Sequence, residues 1–272
     1  MNVQLLQFIV GPTASGKTAY ALREAQRLGC PILSCDSLCV YRGMDIGTAK
    51  PTPVERSQVW HYGLDLADPS RLFSVADYVA YRDRVLGELR ERHETVLVVG
   101  GSGFYLKSFF RPVTDRLAIP QAVRAEVEAL SLSGGVEALR EALLQANPPG
   151  AAFPGLDWDN PRRLAQALVR CRVSGRSFAE LQEAFQRLPE PLPGWRKEVV
   201  LVNRPPEALL ARNRRRVEAM LEMGLVAEVQ GLRAAGLEQN PSASRAIGYR
   251  EVLAHLDGRL SLAEAREQII CH

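Results

Sequence analysis

Apolar residues follow two kinds of pattern, which alternate in the first part of the chain. Nearly unbroken apolar runs at residues 5–10, 31–35 and 95–99 are typical of strands buried in a parallel sheet. Between the first two runs, apolar residues recur at helical spacing over 18–28, and Gly29 is expected to end that helix. This alternation predicts an α/β fold with a parallel sheet flanked by helices.

A segment of different texture interrupts the alternation. From residue 112 to 194, helical patterns are separated by breaks rich in proline and glycine, and a strand pattern returns at residues 199–203. We therefore predict an α/β catalytic core formed by residues 1–113 and 195–272, with an all-helical insertion at residues 114–194.

Composition adds the expectation of a well-packed cytoplasmic protein. The chain has 272 residues, of which 46% are hydrophobic, so it can bury a substantial core. It shows neither an apolar run long enough to span a membrane nor a signal-like N-terminus, so we expect no membrane partner. The 5 cysteines are odd in number and form no C-x-x-C pair, which argues against a disulfide framework or a zinc site.

A phosphate-binding motif joins the first strand to the first helix. The pattern G-x-x-x-x-G-K-[ST] is matched at every defined position by Gly11, Pro12, Thr13, Ala14, Ser15, Gly16, Lys17 and Thr18. Glycines let successive backbone N–H groups turn toward an anion, the lysine adds a positive charge, and the last hydroxyl can hold Mg²⁺. The motif predicts a P-loop NTPase-like fold that binds a diphosphate or triphosphate.

Arginine is clustered, although the formal net charge is only +3. One short stretch contains Arg212, Arg214, Arg215 and Arg216. A solvated helix face is the usual meaning of such a run. Beside a phosphate loop, however, anionic ligands and nucleic acid become serious candidates.

Polar residues follow two further strands, at the edge of the sheet where α/β proteins place their chemistry. Asp36 comes just after the second strand, where a carboxylate can hold Mg²⁺ or a loop, or act as a general base. Ser102 lies in a glycine-rich turn after the strand at 95–99 and could donate to a phosphate or a reacting base. The glycine-rich, polar loop at residues 41–52 is predicted to bind a ligand, because no regular structure accounts for it.

Several strings occur in the order seen in one enzyme family. Beyond the phosphate motif and Asp36, they are YRGMDIGTAKP from Tyr41, GGSGFYL from Gly100, NPRR from Asn160, MLEMGL from Met220 and AIGYRE from Ala246. From the first strand to about residue 255, the sequence resembles the bacterial tRNA dimethylallyltransferases. The resemblance implies transfer of a dimethylallyl group from dimethylallyl diphosphate to N6 of adenosine 37, in tRNAs that read codons beginning with U.

The same resemblance implies roles for individual residues. Asp36 takes the proton of N6, Ser102 contributes its hydroxyl, and Arg216 contacts the diphosphate together with the phosphate loop and a Mg²⁺ held by Thr18. The target base is expected to leave its stack to reach the site. The insertion is expected to grip the anticodon stem-loop of the tRNA, and we expect the protein to act as a monomer. The implied tRNA contacts are Asp36, Ser37, Leu38, Cys39, Ser102, Arg124, Arg162, Arg163, Leu164, Ala165, Gln166, Arg245, Ala246, Ile247, Gly248, Tyr249 and Arg250.

Some positions depart from the family pattern. Ser102 replaces the usual threonine, Tyr62 replaces the second histidine of a pair, and Gln166 stands where arginine is common. The family also continues into a basic segment after the last helix. This sequence stops at His272, as a natural variant or a shortened product, and loss of that segment can weaken tRNA affinity without affecting the diphosphate site.

Other functions fit the phosphate motif by itself. A small-molecule or nucleoside kinase would bind ATP with Mg²⁺ and carry phosphoryl-acceptor machinery. An isopentenyltransferase acting on free adenine nucleotides would not need a helical insertion with arginines. An RNA-binding protein with an inactive phosphate loop would not need Gly16, Lys17, Thr18 and Asp36.

Overall fold

One parallel sheet organises the computed structural model, which describes residues 4–92, 95–115 and 117–271. The strands of this 5-stranded sheet are β1 (Gln4–Val10), β2 (Ile32–Ser34), β3 (His61–Tyr62), β4 (Thr95–Val99) and β5 (Trp195–Leu201). Their order is β3-β2-β4-β1-β5, and every neighbouring pair is parallel. The predicted α/β fold is confirmed.

Helices connect and cover the strands. Before β5 they are α1 (Lys17–Leu28), α2 (Pro53–Gln58), α3 (Val75–Leu89), α4 (Gly103–Lys107), α5 (Gln121–Gln145), α6 (Pro161–Ser174) and α7 (Phe178–Gln186). After β5 they are α8 (Pro206–Glu222), α9 (Leu225–Ala234), α10 (Pro241–Ser244), α11 (Tyr249–Leu256) and α12 (Leu262–Cys271), with a 3₁₀ turn at Leu237–Gln239. Of the helices described, none is long and apolar enough to cross a membrane.

Both faces of the sheet are buried, which explains the unbroken apolar runs in its strands. Phe8 and Val98 point into a core on one face, together with α3, α8, α9 and α11. Ile9 and Leu97 point to the opposite face, where the core also contains Leu22 and other residues of α1. Because neighbouring residues of a strand face opposite sides, the two cores are reached alternately along β1 and β4.

Strand order decides which loops meet at the carboxyl edge of the sheet. β4 lies between β2 and β1, and β5 pairs with the other side of β1. The segments that follow these four strands, at residues 11–16, 35–37, 100–102 and 202–204, therefore converge at one edge. The backbone confirms this, since Cys35 N–H donates to Val99 O at 2.7 Å.

The chain divides into two compact units. The sheet unit comprises Met1–Phe110 and Leu192–His272, and the helical unit comprises Arg111–Pro191. The helical unit contains α5, α6 and α7, and its separate hydrophobic core includes Val127, Leu139 and Leu168.

Candidate active site

The phosphate loop has a backbone that needs glycine at its first position. It runs from the end of β1 to the start of α1, and Gly11 has φ 151°. A Cβ at Gly11 would lie 2.0 Å from the carbonyl oxygen of Val202, which follows β5. Ala14 and Gly16 also have positive φ, at 62° and 101°. The loop thus turns sharply and packs closely against the backbone that follows β5.

Lys17 is held on the loop by two backbone carbonyl groups. Its Nζ donates to Gly11 O and to Pro12 O, each at 2.7 Å. Burial lowers the pKa of Lys17, the positive charge of Arg216 lowers it further, and the carboxylate of Asp36 opposes both effects. The ammonium group is therefore within electrostatic reach of both side chains.

Two arginines from the last third of the chain also bind the phosphate loop. Arg204 Nε donates to Ser15 O and Arg212 Nε donates to Ala14 O, each at 2.8 Å. The loop is consequently bonded to residues after β5 as well as to its own lysine.

Asp36 follows β2 and is fixed by the backbone ahead of it. Its Oδ1 accepts an N–H bond from Leu38 at 2.8 Å and a longer one from Cys39 at 3.4 Å. Such a turn is common for aspartate. In the part of the chain that the structure describes, Oδ2 accepts no hydrogen bond, so one oxygen is available for other chemistry.

Ser102 joins the ends of β2 and β4. Its N–H donates to Cys35 O at 3.2 Å, and its hydroxyl accepts the N–H of Ser37 at 2.8 Å and donates to Ser37 Oγ at 3.1 Å. Gly100 permits this approach, because a Cβ there would lie 2.3 Å from Cys35 O. Ser102 therefore contacts the residue next to Asp36.

Arg216 reaches the same region from α8. Its side chain is half-buried, and burial lowers its pKa while the carboxylate of Asp36 acts in the opposite direction. The structure thus brings the phosphate loop, Asp36, Ser102 and Arg216 to one edge of the sheet. A carboxylate beside a cationic, amide-rich loop can remove a proton while an anionic leaving group is stabilised.

The loop at residues 41–52 is held by a carboxylate that the sequence did not single out. Glu228 of α9 accepts the N–H groups of Asp45, Ile46 and Gly47 at 3.0, 2.7 and 3.2 Å, and the hydroxyl of Tyr249 at 2.8 Å. Gly47 is required here, because a Cβ would lie 2.6 Å from the ring of Tyr249. The glycine thus serves close packing.

A buried lysine closes the same loop. Lys50 is 6% exposed and donates to Tyr41 O at 2.7 Å, to Asp45 at 2.6 Å and to Asp65 at 2.7 Å. Arg56 adds a 2.7 Å bond to the second oxygen of Asp65. Internal contacts therefore explain much of the polar, glycine-rich composition of this loop, and the ligand predicted for it stays a prediction.

The predicted tRNA contacts differ in their exposure. The side chains of Leu164 and Tyr249 are fully buried in hydrophobic cores, and Cys39 and Gly248 are buried as well. Leu164 and Tyr249 therefore cannot offer side chains to tRNA, because packing occupies them. Predicted contacts that are exposed are Arg124, Arg162, Arg163, Gln166, Arg245, Ile247 and Arg250, while Asp36, Ser37, Leu38, Ser102, Ala165 and Ala246 are half-buried.

Sequence reasoning missed Arg204, Glu228 and Lys50. The signal for Arg204 was available, since it follows the carboxyl end of β5 at the same edge as the phosphate loop. Glu228 had no such signal, because a charged residue in a helix is ordinarily solvated. Lys50 lies in the family string that begins at Tyr41, but the string does not indicate that its side chain is buried.

Comparisons with known proteins identify the family. The family model described as IPP transferase matches residues 39–272. A tRNA dimethylallyltransferase of Opitutus terrae is 50% identical over 264 residues, which cover 97% of this chain and 84% of that protein. A tRNA dimethylallyltransferase of Geobacter metallireducens is 38% identical over the same 97% and 84%.

Solved structures share the fold. The tRNA isopentenylpyrophosphate transferase of Bacillus halodurans matches with a TM-score of 0.65 and 34% identity, over 98% of this chain and 82% of that one. A eukaryotic dimethylallyltransferase acting on tRNA has a TM-score of 0.80 over 99% of this chain and 66% of that one, and its 20% identity supports likeness of fold alone. The chain belongs to the IPP transferase family.

Proposed function

We propose that this protein transfers a dimethylallyl group from dimethylallyl diphosphate to N6 of adenosine 37, in tRNAs that read codons beginning with U. One observation carries the proposal: a member of the IPP transferase family gathers a phosphate loop, the Asp36 carboxylate and Arg216 at one sheet edge. The names of relatives that are 50% and 38% identical support tRNA as the acceptor.

The proposed chemistry is a displacement at carbon. N6 forms a bond to C1 of the dimethylallyl group while the bond between C1 and the diphosphate oxygen breaks. The electron pair of that bond leaves with the diphosphate, and the proton leaves N6 for Asp36. Because the lone pair of N6 is delocalised into the adenine ring, removal of its proton assists the attack. The free Oδ2 of Asp36 suits this role.

The leaving diphosphate gains charge as the bond breaks. Loop amides, Lys17 and Arg216 are proposed to stabilise that charge, with the planar arginine fork suited to phosphate oxygens. The described residues contain no cluster of three or more His, Cys, Asp or Glu that could hold a metal ion. A Mg²⁺ would therefore depend on the exposed Thr18 hydroxyl, diphosphate oxygens and water, a donor set that Mg²⁺ accepts. When bound, it would neutralise charge on the diphosphate.

Exposed arginines are proposed to contact the tRNA. Arg124, Arg162 and Arg163 belong to the helical unit, and Arg245 and Arg250 to the sheet unit. Arginine can pair with phosphates and stack on unpaired bases, which suits an anticodon stem-loop. We propose that the insertion, predicted at residues 114–194, grips this stem-loop.

The test is mass spectrometry of an anticodon stem-loop RNA after incubation with the protein, Mg²⁺ and dimethylallyl diphosphate. One dimethylallyl group should be gained at adenosine 37. A stem-loop with guanosine at that position is the matched control, because it lacks the N6 amine and should stay unmodified. Phosphate transfer from ATP in a parallel incubation, with no mass gain on the adenosine stem-loop in the first, would instead support the kinase alternative.

A further inference from the structure

Arg204 and Arg212 use only part of their hydrogen-bonding capacity. Each donates its Nε–H to one carbonyl group of the phosphate loop, at 2.8 Å. A guanidinium group carries five N–H donors. Within the described residues, the other donors of these two arginines form no hydrogen bond and no ion pair. Both side chains are also exposed, so a ligand can approach them.

The unused donors of the two arginines meet at the start of α1. A Cβ on Gly16, the residue that precedes this helix, would lie 3.8 Å from Arg204 Nη2 and 3.9 Å from Arg212 Nη2. No side chain caps the amide groups of the first turn. Two guanidinium groups therefore face the helix end that carries a partial positive charge.

Positive charge outweighs negative charge here, since four cationic side chains share the region with the single carboxylate of Asp36. Lys17, Arg204, Arg212 and Arg216 all lie around the loop, and none forms an ion pair in the described part of the chain. The first three are bonded to neutral carbonyl groups of the loop instead. Because like charges repel and Asp36 can offset only one of them, an anion with several charges would be attracted to this cluster.

We propose that Arg204 and Arg212 are diphosphate-binding residues. Each guanidinium keeps its Nε–H on the loop carbonyl, which fixes its plane, and its Nη groups donate to a phosphate group held at the start of α1. The inference rests on the proposed function, in which this diphosphate is the leaving group. The two arginines then stabilise charge on that group beyond what Lys17 and Arg216 supply.

A purely structural role of Arg204 and Arg212 predicts a different effect of their substitution. If they only held the loop, in which Ala14 has φ 62°, their loss would disturb the loop before any ligand bound. If they bind diphosphate, their loss should be felt mainly when the ligand is present. Ligand-free and ligand-bound measurements therefore separate the two roles.

The experiment is calorimetric titration of the full chain with inorganic diphosphate and Mg²⁺. Arg204→Gln and Arg212→Gln should each weaken binding by about tenfold, the effect of losing one hydrogen bond to a charged group. Arg212→Lys should recover part of the loss, because charge returns without the planar fork. Arg214→Gln is the matched control, since Arg214 is exposed on the side of α8 opposite to Arg212. This variant should bind diphosphate with the affinity of the wild type.

Hydrogen exchange without ligand provides the second readout. The loop amides should exchange at the wild-type rate in both glutamine variants. Faster exchange that accounts for the weaker binding would overturn direct contact in favour of a loop-holding role. Equal affinity in wild type and both variants, or an equal loss in Arg214→Gln, would overturn the proposal as well.

The test does not depend on which group is transferred. A wild-type protein that binds diphosphate through these arginines but fails to modify the stem-loop would contradict the proposed function alone. A protein that modifies the stem-loop, and whose variants keep full affinity for diphosphate, would contradict this inference alone.

Discussion

Asp36 uses one carboxylate oxygen to accept backbone N–H groups, and its other oxygen accepts no hydrogen bond from the residues that the structure describes. The bond from Leu38 N–H at 2.8 Å fixes Oδ1, and the proposed proton transfer uses Oδ2. Asparagine can keep an oxygen for the backbone contact but cannot take up the proton. We therefore expect Asp36→Asn to preserve the local fold and remove the base.

For Asp36→Asn, the single-turnover rate of prenyl transfer should fall by about 10²- to 10⁴-fold, the usual contribution of a general base. Affinity for the anticodon stem-loop should stay the same. Asp68→Asn is the control, because the 2.6 Å pair of Asp68 with Arg42 is a surface ion pair that contributes little. A normal single-turnover rate with weakened RNA binding would refute the role as base.

The buried thiols make stability depend on alkaline pH. Burial raises the pKa of Cys35 and of Cys39 from 9.0 to about 12 each. In the unfolded chain both thiols ionise above about pH 9, whereas in the folded protein they stay protonated. Their contribution to stability is therefore complete below pH 9 and is lost as the pH rises toward 12.

Urea unfolding between pH 8 and 10 tests this linkage. The free energy of unfolding should fall above pH 9 by up to about 1.4 kcal/mol per thiol for each pH unit. A variant with Cys35→Ala and Cys39→Ala should show a shallower fall. Cys271→Ala, at an exposed thiol, should leave the slope unchanged. An identical slope in all three proteins would contradict the assignment.

The sequence predicted the residues whose position follows from strand ends. Asp36 and Ser102 come directly after strands, so sheet topology brings them together. It did not predict that Leu164 and Tyr249 are buried, because membership of a family string carries no information on the direction of a side chain. For the predicted tRNA contacts whose side chains are exposed, such as Arg162 and Arg245, a role in tRNA binding remains a prediction.

Among the elements, α9 has the task of holding the loop at residues 41–52. Glu228 binds three successive loop amides and a tyrosine hydroxyl, with distances from 2.7 to 3.2 Å. Hydrogen bonds to a charged acceptor are stronger than those between neutral groups. The loop follows Asp36 along the chain, so the helix also restrains the segment that carries the proposed base.

Glu228→Gln should therefore loosen the loop. Glutamine has one acceptor oxygen instead of two, and its NH₂ group would face backbone N–H donors. We expect a loss of about 2 kcal/mol in the free energy of unfolding, and faster hydrogen exchange of the amides at 45–47. Glu222→Gln, at an exposed position in α8, should change neither quantity. Unchanged protection at 45–47 would show that the carboxylate charge is dispensable.

Elements with a clear hydrophobic pattern could be predicted from the sequence, and elements without one could not. The apolar runs of β1 and β4 and the amphipathic spacing of α1 located these elements from sequence. β3 was missed because its two residues, His61–Tyr62, are too short for a pattern. α2 was missed because it buries no residue, so its polar surface gives no periodic signal. Within α5, the backbone of Gly135 is non-helical, with φ 62°, so this element consists of two helical stretches joined at a kink.

At the scale of the whole molecule, the helical unit has a hydrophobic core of its own. Leu139 is fully buried within it, and Leu132 in the same helix is 84% exposed. Leu139→Ala should lower the free energy of unfolding of this unit by about 2–5 kcal/mol, through lost burial and a cavity. Leu132→Ala should have almost no effect.

Scanning calorimetry should detect the change as an earlier transition of the helical unit. Affinity for inorganic diphosphate, measured below that transition, should be the same in both variants as in the wild type. A single transition that shifts as a whole, accompanied by loss of diphosphate binding, would mean that the two cores unfold as one.

The close backbone contact between Gly11 and Val202 has a consequence for synthesis of the protein. β1 pairs with β4, but its other partner, β5, is synthesised only after the entire helical unit. Until then, β1 presents an open edge that could pair with another chain. The phosphate loop also lacks the backbone against which it turns. A nascent chain thus contains the phosphate-binding motif before the loop can adopt its final conformation. Interrupted translation would release a sheet that has an unpaired, aggregation-prone edge strand.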